Sequence, residues 1–457
     1  MVSASARTFL GISAALFVLE LVVLLVLWHT AGSAVRDQFG LFIALPVISG
    51  VVGYVTNKLA LVMTFAPLDF VGIPVLLIQD QPVGLFGWQG IIPAKAGKMA
   101  GISVDLMLDK LFDVQEIFAR LNPARVAQLL GPGLRDMTKH IIDTVASEQL
   151  PKVWAALPAP ARDALISAAA KESPRMITGM LAEMKHRILE VLDVRAMSVR
   201  HLELRKDIMI DMFKSCGKEE FIFIERSGWY FGFLFGVVQM AIYAFYDATW
   251  VLPAFGFLVG YATNAIALKM IFLPIDPVEY AVGRLRFAVQ GLFLKRQQQV
   301  SRIFARKAAG EIMTSKLMWD EMLRGPNVHR FEAIVRKHVG LLVDRSAGAG
   351  SGGANPLLDA FLRARPGGWT YDAAKDRIAD LVIDMLPAQV ELIHDYTDEA
   401  LDLEREMREK MQALPPREFE GVLHPVFEED EIKLILVGAA LGTAVGLLQE
   451  FVLFRNL

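Results

Sequence analysis

Two stretches of this chain are copies of one another, and both are too apolar to be solvated by water. Residues 45–69 read LPVISGVVGYVTNKLALVMTFAPLD and residues 252–276 read LPAFGFLVGYATNAIALKMIFLPID, with 13 of 25 positions identical at a constant offset of 207. Shared apolar composition would pair Val with Leu or Ile. It would not pair Pro46 with Pro253, Gly53 with Gly260, Tyr54 with Tyr261, or Thr56-Asn57 with Thr263-Asn264. Duplication explains the agreement, and it reaches further. Gln89-Gly90-Ile91-Ile92 corresponds to Gln290-Gly291-Leu292-Phe293, and Gly232, Gly236 and Gln239 correspond to Gly442, Gly446 and Gln449 in the pattern GxxxGxxQ.

A bilayer core needs about 20 mostly apolar residues in helical form. Five segments meet that requirement: 8–28, where Glu20 is the sole ionisable residue, then 41–65, 229–246, 250–272 and 434–454. The apolar run of the first is longer than the 7–15 residues of a signal-peptide core. An uncleaved anchor is therefore expected, although Ala31-Gly32-Ser33-Ala34 would suit a peptidase. Hydrophobic residues make up 54% of the 457, yet 21% are charged, so water-facing domains must accompany the spans. The expected fold is all-α: a polytopic membrane protein with about five transmembrane helices and two large helical extramembrane domains. Residues 1–40 would be an anchor. Repeat unit one (41–246) would hold helix 41–65, a helical domain 66–228 and helix 229–246. Repeat unit two (250–457) would hold helix 250–272, a domain 273–433 and helix 434–454. With two spans per unit both units face the same way, as parallel repeats do.

The segments GYVTNKLALVMTFAP and GYATNAIALKMIFLP resemble the signature GxxTNxLAIKMLFxP, and GxxxGxxQ resembles the matching C-terminal helix, of the bacterial membrane-protein family catalogued as domain of unknown function 445. The resemblance covers nearly all of the chain after residue 40, as two tandem copies. It implies a membrane protein and no particular activity. The basic residue of ALKM is kept as Lys269 but is Val62 in the first copy, where Lys58 stands four positions earlier.

The inserts read as helical. Ile177, Met180, Leu181, Met184, Ile188, Val191 and Leu192 recur at spacings of three and four, as do Ile378, Leu381, Val382, Met385 and Leu386. Such a stripe packs in a bundle by default. The sharper reading presents it to lipid, at the bilayer surface or around a carried acyl chain, and Met176, Met180 and Met184 suit an adaptable apolar surface. Strand signals are few, and 221–224 reads as the approach to the third span. Residues 347–355 (AGAGSGGAN) read as a flexible linker, without the Lys-Ser/Thr of a phosphate loop.

Polar residues inside apolar helices are the candidate site: Glu20, Thr56, Asn57, Lys58, Gln239, Thr263, Asn264, Lys269 and Gln449. A carboxamide in hydrocarbon needs partners, and small residues let helices come close enough to supply them. On the structural reading, Gly53 and Gly260 open a contact across which each Asn bonds to Gln239 or Gln449. On the functional reading, the two Thr-Asn pairs face each other about the repeat axis and line a polar path. Lys58 can extend its ammonium to the interface. A charged Glu20 would cost roughly 2.5–3.5 kcal/mol at mid-membrane.

No catalytic residue, cofactor or metal ligand is expected. The eight His residues make no HExxH spacing, no GxSxG or GK[ST] occurs, and single Cys216 rules out a thiolate cluster. A net charge of -3 with interspersed signs does not suit nucleic acid. The expectation is a non-enzymatic, membrane-anchored helical scaffold of the bacterial inner membrane, with lipid or a protein partner on its domains. The alternative is a transporter or channel built from two parallel repeats, which would need to oligomerise to enclose a pathway. Lys58, Lys269, Arg284, Arg286, Lys295 and Arg296 put the domains in the cytoplasm by the positive-inside rule.

Overall fold

A computed structural model describes residues 4–31, 35–36, 39–73, 83–84, 86–149, 151–246, 248–282, 285–347, 371–428 and 431–454. Most of the expected 347–355 linker lies outside these. The nine longest described helices are α1 (Ala4–Thr30), α2 (Phe39–Phe65), α3 (Pro123–Gln149), α4 (Ala159–His186), α5 (Lys218–Tyr243), α6 (Val251–Phe272), α7 (Val328–Ala347), α8 (Tyr371–Val390) and α9 (Glu431–Leu448, continued by a π turn Gln449–Phe454). Shorter helices connect them. The fold is that of an all-α membrane protein, and α1, α2, α5, α6 and α9 are each long and apolar enough to span a bilayer. Helix α5 begins eleven residues before the expected 229, because Phe221–Ile224 continues one helix rather than leading into it.

Two compact units emerge. One comprises Met1–Leu106, Leu202–Phe304 and Met411–Leu457, the other Met107–His201 and Ala305–Lys410. Each sequence repeat contributes to both.

In the first unit, α2 lies along α5, and α6 lies along α9 in the same manner. The glycines set this approach. A Cβ on Gly53 would overlap the carbonyl of Gly228, and one on Gly260 would overlap that of Gly438. Gly228 and Gly438 are equivalent positions of the two repeats, so the same backbone contact is made twice. Helix α1 runs beside α5 in the same direction, with Trp229 Nε1 donating to Ser13 Oγ at 3.1 Å and Phe17 edge-on to Phe233. Leu24, Leu27, Phe42, Leu45, Phe233, Val237 and Met240 form the core where α1, α2 and α5 meet. Leu10, Val18 and Leu21 of α1 and Val51, Val55 and Val62 of α2 stay exposed. An outward apolar face of that extent is a lipid-facing one.

The structure adds strands that the residue pattern did not suggest. After α2 come β1 (Val71–Ile73), β2 (Val83–Gly84) and β3 (Phe86–Trp88), with β3 antiparallel to both others. After α6 come β4 (Val278–Val282) and β5 (Leu285–Val289), an antiparallel hairpin. Strands of two or three residues are too short to show a clear period, and the five-residue pair Val278–Val282 and Leu285–Val289 alternates only in part.

In the second unit, α3 packs against α4 and α8, and α7 packs against α4 and α8. Two helices come from each repeat. Ile177, Met180, Leu181 and Met184 are buried along α4, so that stripe is largely a packed face.

Candidate functional site

The intramembrane polar positions fall into three groups. Thr56, Asn57, Thr263 and Asn264 are buried at the contact of the repeats. Asn57 Nδ2 donates to the Ile224 carbonyl at 2.7 Å, and Asn264 Nδ2 donates to the Leu434 carbonyl at 3.1 Å. The acceptors are equivalent backbone groups, one turn before Gly228 and Gly438. The expected partners Gln239 and Gln449 do not take this role, because the glycine contact brings α5 and α9 backbone, not side chain, within reach of the carboxamide. Thr263 Oγ1 donates to Asn57 Oδ1 at 3.3 Å and so joins the repeats directly. Thr56 instead turns back on its own helix, to the carbonyls of Val52 at 2.9 Å and Gly53 at 3.1 Å.

Gln239 and Gln449 are buried farther along their helices. Ser49 donates its hydroxyl to Gln239 Oε1 at 3.0 Å. The repeat-two equivalent of Ser49 is Gly256, which has no hydroxyl, and a Cβ there would overlap the Gly442 carbonyl. Glu20 is 3% exposed on the face of α1 that meets α5, and its Oε1 has no hydrogen-bond partner among the described residues. Lys58 and Lys269 form the third group, both exposed on the outer faces of α2 and α6, with Lys58 Nζ over the Tyr54 ring.

Where the Asn carboxamides of the first unit are spent on facing backbone, the second unit holds space. An apolar cavity of about 90 Å³ lies among α3, α4, α7 and α8. A single water needs roughly 10–15 Å³ by such a measure. Leu134, Met137 and Ile141 of α3, Leu165 of α4, Val343 of α7 and Val382 of α8 are among its lining residues, as is Trp154. Met176, singled out above for its adaptability, lines it too. Two of its three lining hydroxyls are already used, Thr138 on the Leu134 carbonyl at 2.7 Å and Ser173 on the Ala169 carbonyl at 3.2 Å. The third, Ser346 Oγ, is buried without a partner among the described residues.

Charge pairs clamp the same four helices. Arg377 of α8 meets Glu148 of α3 at 2.6 Å, Arg336 of α7 meets Asp380 of α8 at 2.6 Å, and Lys337 and His338 of α7 both meet Glu183 of α4, at 2.7 and 2.9 Å. Hydrogen bonds from Arg377 and Lys337 hold the Glu148 and Glu183 carboxyls below their ordinary range. Arg120 does the same to Glu406 elsewhere in this unit.

Sequence reasoning found the polar spans but not this cavity, whose walls come from residues over 200 positions apart. Among the described residues no cluster of His, Cys, Asp and Glu could hold a metal ion.

Comparison with known proteins is consistent with the membrane assignment. A UPF0754 membrane protein of Synechococcus elongatus is 33% identical over 97 residues, 21% of this chain and 23% of the relative. One from another Synechococcus strain is 29% identical over 93 residues, 20% of this chain and 23% of the relative. The matched stretch thus spans about a quarter of the length of these curated relatives. No family profile and no solved structure matches.

Proposed function

We propose that this integral membrane protein is a non-enzymatic scaffold whose helical domain binds the acyl chain of a membrane lipid. The cavity among α3, α4, α7 and α8 carries this reading. Apolar cavities of this kind stay dry and accept hydrocarbon, and the chain is held at the source of that hydrocarbon by its own spans. The Ser346 hydroxyl, without a partner among the described residues, offers one hydrogen bond to a carbonyl or headgroup oxygen. The Thr-Asn signature and its resemblance to domain of unknown function 445 support a bacterial inner-membrane protein of that family. The cations at the domain ends of the spans favour domains on the cytoplasmic side.

Lipid analysis by mass spectrometry tests the reading. Full-length protein stripped by exhaustive detergent exchange should retain a stoichiometric lipid or fatty acid. Ala169→Phe, which fills the cavity from α4, should release it without loss of thermal stability. Equal retention by both proteins would refute the proposal.

A transporter or channel built on the parallel repeats is the second reading, and buried, unpartnered Glu20 is the observation that favours it. Intramembrane carboxyls mark ion or proton paths more often than packing. Glu20→Gln should then abolish a proton or cation flux in liposomes while leaving the fold intact. If no flux depends on Glu20, this reading falls.

A further inference from the structure

The two hairpins share more than their place in the chain. Val71 pairs with Trp88 and Ile73 with Phe86 in the first, and Val278 pairs with Val289 and Tyr280 with Phe287 in the second. Val71 and Val278 are equivalent at the offset of 207, as are Ile73 and Tyr280. Because strand side chains alternate in direction, Val71, Ile73 and Trp88 share one face of the first sheet, and Val278, Tyr280 and Val289 share one face of the second. The opposite face carries Gly72 and Gly87 in the first hairpin, and Glu279, Ala281, Arg286 and Ala288 in the second. Both are therefore one-sided, with the apolar face preserved although Tyr280 stands where the first repeat has Ile73 and Val289 where it has Trp88.

These faces are not packed away. Val71 and Ile73 are 65% and 59% exposed, and Val278, Tyr280 and Val289 are between 38% and 49% exposed. Strands this short, in sheets of three and two, with an uncovered apolar face are marginal at best in water.

Their anchorage says what covers them. In the first repeat the amide of Gly90 donates to the Pro67 carbonyl at 2.9 Å and Gln89 Nε2 to the Leu68 carbonyl at 2.7 Å. In the second, Gly291 donates to Pro274 at 2.9 Å and Gln290 Nε2 to Ile275 at 3.0 Å. Each hairpin base is thus tied back to the residues immediately after a membrane helix, α2 or α6. The half-buried Trp88 indole donates to the Ala66 carbonyl at 3.2 Å, one residue past the end of α2, and amphipathic rings concentrate at membrane interfaces. Arg286 and Lys295 are exposed nearby, suited to anionic headgroups.

We infer that the two hairpins are interfacial elements, which lay their apolar faces into the boundary between headgroups and acyl chains of the leaflet on the domain side. The bilayer itself is the partner. The inference is independent of the cavity in the second unit and of what that cavity holds.

Single cysteines at Val278, Glu279 and Tyr280, in a Cys216→Ala background and labelled with an environment-sensitive fluorophore, test this in the full-length protein. The labelled protein would be placed in liposomes of phosphatidylcholine and phosphatidylglycerol. Labels at 278 and 280 should be quenched several-fold more by a lipid bearing a shallow nitroxide than the label at 279, which should respond instead to aqueous iodide. Labels at 71 and 73 should behave like 278 and 280. Uniform iodide quenching at 278, 279 and 280, with none by nitroxide lipid, would overturn the inference. Blue-shifted emission of label 280 in liposomes but not in detergent-free urea gives a second measure, and equal emission in both would count against it.

Discussion

The two compact units are each built from both repeats, yet they close in opposite ways. In the first, α2 meets α5 and α6 meets α9 through backbone, with Gly53 against Gly228 and Gly260 against Gly438. Nothing larger than a hydrogen atom fits at those points, and the buried carboxamides of Asn57 and Asn264 are spent on the facing carbonyls. In the second unit α3, α4, α7 and α8 are spaced by Leu, Met, Ile and Trp side chains and leave a cavity. In lipid, where burial of apolar surface gives no drive for helices to associate, close van der Waals approach is the main attraction available. In water, bulky apolar side chains drive association, and imperfect interdigitation leaves room. The contrast sets a backbone-to-backbone seam in one unit against a side-chain-lined cavity in the other, and the proposed lipid binding rests on that cavity.

The strongest way to break this contrast is to push the membrane pairs apart. Gly53→Val and Gly260→Val should each cost at least about 1–3 kcal/mol, the range for overpacking a filled site. Both should lose most of their monodisperse peak in size-exclusion chromatography. Gly340→Ala in α7, where a Cβ meets nothing within 4 Å, should be neutral or mildly stabilising. If Gly260→Val behaves like Gly340→Ala, backbone contact is not what joins the pairs.

Acid should act on the other unit. Glu406, Glu183 and Glu148 have carboxyls depressed by Arg120, Lys337 and Arg377 respectively. A carboxyl with a lowered folded-state pKa contributes stability in full above its unfolded value, here 4.5, and loses it as pH falls through the folded value. Thermal unfolding followed by hydrogen exchange should therefore show α3, α4, α7 and α8 loosening below about pH 4.5 while α2 and α5 stay protected. Glu183→Gln or Glu148→Gln should flatten that dependence.

Smaller effects should separate the repeats from each other. Asn57 serves two hydrogen bonds, to Ile224 and from Thr263, whereas Asn264 donates one to Leu434. At about 0.6 kcal/mol for each intramembrane hydrogen bond, Asn57→Ala should cost more than Asn264→Ala in detergent unfolding titrations. Equal losses would argue that the Thr263 contact contributes nothing. Ser49→Ala, which removes the bond to Gln239, should cost about 0.6 kcal/mol by the same rule. Gly256→Ser, the reciprocal change, should be far worse because of the Gly442 carbonyl.

How far the residues alone reveal this follows from the same contrast. The five spans are readable because hydrocarbon imposes length and apolarity on a contiguous stretch, and α2 and α6 fall within two residues of their expected limits. Asn57 and Asn264 are readable as polar groups in need of partners. Their partners are not, because a backbone carbonyl at Ile224 or Leu434 has no letter of its own. The role of Met176 at the cavity is equally invisible, since the opposite wall is supplied by Val343 and Val382 from the other repeat. The hairpins escape notice for another reason. Val71-Gly72-Ile73 and its partner strand alternate over too few residues to stand out beside the apolar helix they follow.

Photolabelling with a diazirine-bearing fatty acid tests the division between holding and binding most directly, using full-length protein in liposomes and the Ala169→Phe and Asn57→Ala/Asn264→Ala variants. Label on α3 and α4 peptides carrying Met137 and Leu165 should persist in the Asn double variant and vanish in Ala169→Phe. Unlabelled α3 and α4 peptides in the wild-type protein, or labelling abolished by the Asn changes, would contradict the account.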